Sequence, residues 1–383
     1  MGLYAAVKEI QRYSITHILL AYIFLASGLI VNVIQLLTVP LWYLGFKGLY
    51  RTCIINLNYL SWCLIPGIAQ WWAGIDVYLY VRPDDHKLFG KENMISVMNH
   101  SGQLDWVISW VLSDYCKILG NAKCVVKNAL KYIPILGWSF WLSEYVFLYR
   151  NLEKDRQKFN DAFKNLSTFS QKFWFLLFPE GTRFTPEKHK KSVEFATKNG
   201  LQPLNHLLLP RTKGFVLIAK GLRNYVDAFY DATVCFRGGE GTFINMLEGR
   251  PCVVDLLINR SPIADVPVDD EKCAQYIYDV YYEKDNLCNH HKKHNTFPVG
   301  DVKYPRYKDY VQLKIHKNYL SLCLLVFWSI VCTSLLAYYA TSTLLYGSWI
   351  QIAIFTGLVL LVTIVYFLMI NTTKTKPLKR KST

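Results

Sequence analysis

Apolar positions along this chain fall into three regimes. Residues 17–45 are apolar and uncharged, long enough to span a bilayer and too long for the apolar core of a signal peptide. Asn32, Gln35 and Pro40 interrupt the run, so it reads either as one tilted span or as two half-helices in one leaflet. A second apolar stretch, 54–73, contains Asn56, Asn58, Pro66, Gly67 and the pair Trp71-Trp72. It reads as a membrane-surface or re-entrant segment, or else as a buried helix of the domain that follows. From Asp76 to about Asp309 the pattern changes to short apolar runs alternating with amphipathic stretches. Strands are expected at 77–81, 95–98, 124–126, 145–149, 174–178, 207–209, 233–236 and 253–258, with helices between, such as 152–163 and 186–198. Thr185 as N-cap, Pro186 in the first turn and Gly200 past the end frame the latter. Such alternation predicts an α/β domain with a mostly parallel sheet. Residues 319–370 are almost wholly apolar, enough for two spans with a turn near Tyr346-Gly347-Ser348.

The pattern divides the chain into a membrane-embedded segment at 1–75, an α/β domain at 76–316, a transmembrane hairpin at 317–371 and a basic tail at 372–383. Lys and Arg lie on both outer ends of the hairpin, which predicts that both ends and the α/β domain face the cytosol. The closing Lys379-Arg380-Lys381-Ser382-Thr383 reads as an endoplasmic-reticulum retrieval signal or as a plain positive-inside tail.

Composition sharpens this. The chain is 52% hydrophobic and 15% aromatic with a net charge of +15, which favours anionic partners. The basic residues are scattered and no nucleic-acid motif accompanies them, so phospholipid and phosphate remain. A transporter would need more spans and intramembrane charges. The ten cysteines include no Cys-x-x-Cys pair and read as reduced thiols. Cys288, His290, His291 and His294 cluster at the end of a polar stretch, but their spacing matches no standard zinc set, and a solvated basic loop is expected there.

The chemistry gathers at Asn99-His100-Ser101-Gly102-Gln103-Leu104-Asp105. An apolar strand precedes this stretch and an apolar helical pattern follows, so His100 sits at a strand-to-helix turn. On a continuous helix His100 and Asp105 would lie roughly 140° apart. They meet only if the chain curls, which Gly102 permits. A carboxylate on one imidazole nitrogen fixes the tautomer and leaves the other nitrogen as a base. A second turn, Phe178-Pro179-Glu180-Gly181-Thr182-Arg183, also follows an apolar strand. There Gly181 lets backbone N–H groups approach an anion, and Arg183 supplies a fork of donors for phosphate.

Asn-His-x4-Asp followed by Phe-Pro-Glu-Gly-Thr-Arg resembles the glycerolipid acyltransferases, specifically the 1-acylglycerol-3-phosphate (lysophosphatidic acid) acyltransferases. Residues 206–215, with Pro210-Arg211-Thr212-Lys213-Gly214-Phe215, and residues 127–138 are similar to the eukaryotic gamma/delta type. The resemblance implies a glycerolipid-acyltransferase-like α/β fold and transfer of an acyl chain from acyl-CoA to the sn-2 hydroxyl of lysophosphatidic acid at a membrane of the endoplasmic reticulum. It implies His100 as general base and Asp105 as its partner. Gly181, Thr182 and Arg183 would bind the acceptor phosphate, with Glu180 orienting their loop. Arg150 would help hold the acceptor, or else is a surface Arg at a strand end; Pro210 would belong to a motif linked to the acyl donor, or else is a plain strand-end Pro. From the residues alone, Lys127 is a further phosphate candidate or a solvated helix lysine. No cofactor or metal is implied, acyl-CoA being a co-substrate, and oligomeric state is left open. Ser101-Gly102-Gln103 departs from the gamma/delta pattern, which bears on acceptor preference. The readings in competition are the same chemistry on another lysophospholipid, such as lysophosphatidylinositol, and a non-catalytic membrane-shaping scaffold.

Overall fold

The computed structural model describes residues 8–148, 152–238 and 241–373. Eight strands form one sheet: β1 (Asp76–Val81), β2 (Met94–Met98), β3 (Ala122–Lys127), β4 (Val146–Leu148), β5 (Trp174–Leu177), β6 (Ala228–Phe236), β7 (Val253–Pro262) and β8 (Val311–Lys314). Their order is β4-β3-β5-β2-β6-β7-β1-β8. The five strands from β4 to β6 are parallel, β7 runs antiparallel to β6 and parallel to β1, and β8 closes the far edge antiparallel to β1. The sheet is therefore mostly parallel, and the C-terminal ends of β2, β3, β4, β5 and β6 share one edge. Loops leaving that edge are where such sheets bind ligands.

Among the described residues the longer helices are α1 (Ser14–Tyr43), α2 (Lys47–Trp62), α3 (Asp105–Tyr115), α4 (Leu136–Leu142), α5 (Leu152–Leu166), α6 (Pro186–Lys198), α7 (Thr212–Leu222), α8 (Asp270–His294), α9 (Tyr319–Tyr346) and α10 (Trp349–Thr373). Two expectations fail. Residues 207–209 are irregular, because the Asp285 carboxylate of α8 accepts the N–H groups of Asn205, His206 and Leu207 that a neighbouring strand would have taken. The Cys288–His294 region is the end of α8 and not a solvated loop. Cys273, Ile277, Tyr281, Lys284, Cys288 and His291 recur every three or four residues and are buried on one face of it. Its four thiol and imidazole groups do not converge: Cys288 meets Cys235, His291 meets Asp255, and His290 stacks on His294.

α1 is one continuous helix with Pro40 in its last turn. At about 1.5 Å per residue it exceeds the bilayer core. Its polar residues face protein. Asn32 donates to Gln35 and to Ser139 of α4, both at 2.8 Å, and Gln35 donates to Asn58 of α2 at 2.8 Å. Asn58 in turn donates to the Gly120 carbonyl and the Ser143 hydroxyl. These bonds tie α1 and α2 to the sheet domain. Trp62, Cys63, Leu64, Ala69 and Ala73 lie in the same core as Val77, Met98 and Val254, so this face of residues 54–73 packs on the sheet domain. Among the described residues three helical runs, Ser14–Tyr43, Lys47–Trp72 and Tyr319–Tyr346, are long and apolar enough to cross a membrane, and the chain is a membrane protein. α9 rests on α1 and α2, with Trp328 donating to Leu60 O and Tyr22 to Cys332 O. Leucines such as Leu335, Leu344 and Leu345 point outward from α9, as lipid contact requires.

Asn58 is the node of that polar junction. Asn58→Leu leaves Gln35, Gly120 and Ser143 short of partners and should cost about 1–3 kcal/mol. The check is a melting curve in detergent: Asn58→Leu is expected to melt lower than the wild type, whereas Asn56→Ala, which loses only an exposed bond to Thr52 O of its own helix, is expected not to.

Candidate active site

β2 is buried at all five positions, and the chain leaves the sheet edge at Asn99. Asn99 is itself fully buried and behaves like a strand residue made of side chain. Its Oδ1 accepts from Val234 N at 2.8 Å and its Nδ2 donates to Val234 O at 3.0 Å, which pins the turn to β6. The backbone of His100 is then held on both sides by the second turn. Its N–H donates to Glu180 Oε1 at 2.9 Å, and its carbonyl accepts from Phe184 N at 2.9 Å. The imidazole rests against the Phe178 ring, 4.6 Å between centroids.

Asp105 opens α3 and is wholly buried. His100 Nδ1 and Asp105 Oδ2 are 3.0 Å apart, and Gly102 N donates to the same oxygen at 2.8 Å. The curl expected of the stretch is present, but Gly102 is not in the left-handed region. It serves by size: a Cβ there would stand 3.2 Å from Asp105 Oδ1. Burial pushes the Asp105 carboxyl up, against the opposing pull of the His100 ring and the Gly102 and Ser101 N–H groups. About a fifth of the His100 side chain stays exposed, so one face of the imidazole is open.

In the second turn Gly181 has φ +68°, the left-handed conformation that favours glycine, and its N–H closes the turn onto Phe178 O. Glu180 faces away from the turn's open side, into the protein. Burial pushes its carboxyl up to about 8. Tyr281 of α8 lies behind it, and Lys284 of the same helix, fully buried, pairs with Asp231 and donates to Ala232 O. Lys188 of α6 donates to the Thr182 hydroxyl at 2.6 Å and to Arg183 O at 3.1 Å. Arg211 donates its backbone N–H to Pro179 O at 2.7 Å, and its guanidinium lies over Gly181.

His100, Asp105 and residues 180–183 thus meet at one sheet edge. Lys127, the exposed last residue of β3, lies on that edge opposite Leu148 of β4, without contact to the other site residues among its described bonds. Arg150 falls outside the described residues. Sequence reasoning did not single out Phe178, Lys188 and Arg211. The Pro210-Arg211 step just before an amphipathic helix was the available signal for the last. A cavity of about 250 Å³ lies between α3, α4 and the sheet, lined by Trp106, Trp110, Phe140, Tyr145, Trp174 and Phe178 among others. Phe178 both lines the cavity and carries the His100 ring, so the apolar space adjoins the imidazole.

Residues 80–236, which hold both turns, match the family model described as Acyltransferase, and residues 245–328 match Acyltransferase C-terminus. The class is therefore that of the acyltransferases. The delta 1-acyl-sn-glycerol-3-phosphate acyltransferase of Bos taurus is 37% identical, over 78% of this chain and 79% of the relative. That of Homo sapiens is 38% identical over 76% and 77%. The Homo sapiens gamma protein is 34% identical over 94% and 92%. The solved 1-acyl-sn-glycerophosphate (LPA) acyltransferase PlsC of Thermotoga maritima is 16% identical, with a TM-score of 0.40 over 68% of this chain and 95% of that one. The chain belongs to the family of 1-acyl-sn-glycerol-3-phosphate acyltransferases.

Glu180 yields a pH prediction whose sign follows from its raised position. The folded state holds a proton that the unfolded state releases near its ordinary value of about 4.3. Glu180 therefore favours folding at low pH and loses that contribution as pH rises towards about 8. Glu180→Gln keeps the acceptor oxygen for His100 N and removes the titration. Its melting temperature minus that of the wild type should grow between about pH 5 and 8 and level off above; a difference that is flat across this range would contradict the assignment.

Proposed function

We propose that this protein transfers an acyl chain from acyl-CoA to the sn-2 hydroxyl of lysophosphatidic acid, giving phosphatidic acid. The observation that carries the reading is the His100–Asp105 pair set beside a cationic glycine turn at one sheet edge. With Asp105 ionised, Nδ1 carries the ring proton and Nε2 is free to accept. His100 Nε2 takes the proton of the acceptor hydroxyl as that oxygen attacks the thioester carbon. The C–O ester bond forms, the C–S bond breaks, and the proton passes from His100 to the departing CoA sulfur. Asp105 holds the ring in place and stabilises its charged form. Backbone N–H groups near the turn stabilise the oxyanion.

The transfer is direct. The Ser101 hydroxyl accepts from the Asn99 amide, and burial pushes the Cys116 thiol up, so neither is prepared as a nucleophile. Gly181, Thr182 and Arg183 receive the acceptor phosphate, and Lys127 and Arg150 are further candidates for holding the acceptor. The apolar cavity beside Phe178 suits the acyl chain. A thioester needs no cofactor or metal for this step. Apolar helices hold the site at the bilayer, where the lysolipid resides, and the basic flanks favour a cytosolic domain on the endoplasmic reticulum.

The test is acyl transfer from labelled oleoyl-CoA to a panel of lysophospholipids by purified protein in detergent, with Asp105→Asn alongside. Phosphatidic acid is the expected product, with kcat reduced about a hundredfold or more in Asp105→Asn. Preferential acylation of a lysophosphatidylinositol would replace the acceptor. A folded protein that binds acyl-CoA and acylates nothing would overturn the reading in favour of a scaffold.

A further inference from the structure

The second turn carries more positive charge than one phosphate-binding arginine explains. The Arg211 guanidinium lies so close over Gly181 that a Cβ there would stand 3.0 Å from its Cδ and Nε. The placement is built by the backbone. Asp285 gathers residues 205–207, and the Arg211 N–H bond to Pro179 O docks the chain on the turn just before α7 begins at Thr212. Among the described residues neither Arg211 nor Arg183 has a carboxylate within ion-pair distance. By contrast Arg51, Arg237, Arg260 and Arg306 are paired with Glu144, Asp255, Glu92 and Glu283. The adjacent acid, Glu180, is buried and spent on His100 N. Lys188 adds a third cation, already bonded to Thr182.

We propose that Arg211 is a second headgroup arginine, and that with Arg183 it selects acceptors carrying a phosphomonoester over those carrying a phosphodiester. The proposal rests on the acceptor reading above. A phosphomonoester reaches two negative charges once its second ionisation, near pH 6, is complete, whereas a phosphodiester carries one. One guanidinium fork satisfies one pair of oxygens and one charge. A second fork over the open glycine meets the remainder, and only a dianion uses both. Lysophosphatidic acid has that chemistry; a lysolipid with its phosphate esterified to a further headgroup does not.

The experiment compares wild type, Arg211→Ala and Arg211→Lys as full chains in detergent micelles. Acceptors are oleoyl lysophosphatidic acid and oleoyl lysophosphatidylglycerol, assayed on both sides of the second phosphate ionisation. In the wild type, KM for lysophosphatidic acid should fall as the dianion forms. In Arg211→Ala it should rise about tenfold to a hundredfold and lose that pH dependence, with kcat and KM for acyl-CoA nearly unchanged. Discrimination against lysophosphatidylglycerol should shrink by the same factor. Arg211→Lys should recover part of the loss, since it restores charge without the fork. An unchanged KM for lysophosphatidic acid, or a rise confined to acyl-CoA, would overturn the proposal. A second arm needs no turnover: inorganic phosphate should raise the melting temperature of the wild type more than that of Arg211→Ala. Equal rises overturn the proposal. If the wild type forms no phosphatidic acid while phosphate still distinguishes the two proteins, only the acceptor reading fails.

Discussion

The backbone of His100 is gripped from both sides by the second turn, and the rest of the site depends on that grip. Its N–H goes to Glu180 and its carbonyl receives Phe184 N. An imidazole at the end of a strand has no ladder to hold it, and a base must stand within hydrogen-bond reach of its proton to be useful. Here two sequence-distant stretches hold one another, so the distance between His100 and the Gly181 turn is set by short bonds rather than by loop flexibility. The cost is a carboxyl buried beside a second buried carboxyl, Asp105, and it appears in the raised position of Glu180.

α8 shows how the fold sustains that cost. Its buried face carries Tyr281 towards Glu180, Lys284 to Asp231, Cys288 to Cys235 and His291 to Asp255, so its C-terminal half meets the second turn and the sheet through four such pairs. Lys284 sits in the same core and its charge opposes the rise at Glu180. A buried pair of this kind adds little net stability, but losing one partner strands the other at a cost of about 3–5 kcal/mol. The helix belongs to the segment matched as Acyltransferase C-terminus, so that segment backs the second turn directly.

Much of this was legible in the sequence. The two polar turns, the strands that precede them and the helix at 186–198 follow from apolar runs, caps and glycine, all of which act locally. What escaped notice is long-range. The buried face of α8 is Tyr, Lys, Cys and His, and only pairing with β6, β7 and the second turn makes those residues interior. Residues 207–209 have strand-like apolarity, yet Asp285, far along the chain, takes their backbone donors. β8 has the alternating burial of an edge strand but only four residues, too short to stand out. Gly102 was expected to permit the curl, and it does so by leaving space beside Asp105 rather than by a left-handed backbone angle. Asn32, Gln35 and Asn58 looked like interruptions of apolar segments and prove to be the bonds joining them.

The central claim is that His100 acts as the base on an acceptor held by the neighbouring turn. Its most direct test is the turnover of His100→Ala against wild type in acyl transfer to lysophosphatidic acid, using protein shown by its melting curve to be folded and by binding to retain acyl-CoA. The account predicts a fall in kcat of about a hundredfold to ten-thousandfold with acyl-CoA binding intact. A variant that turns over at a rate close to wild type would contradict it.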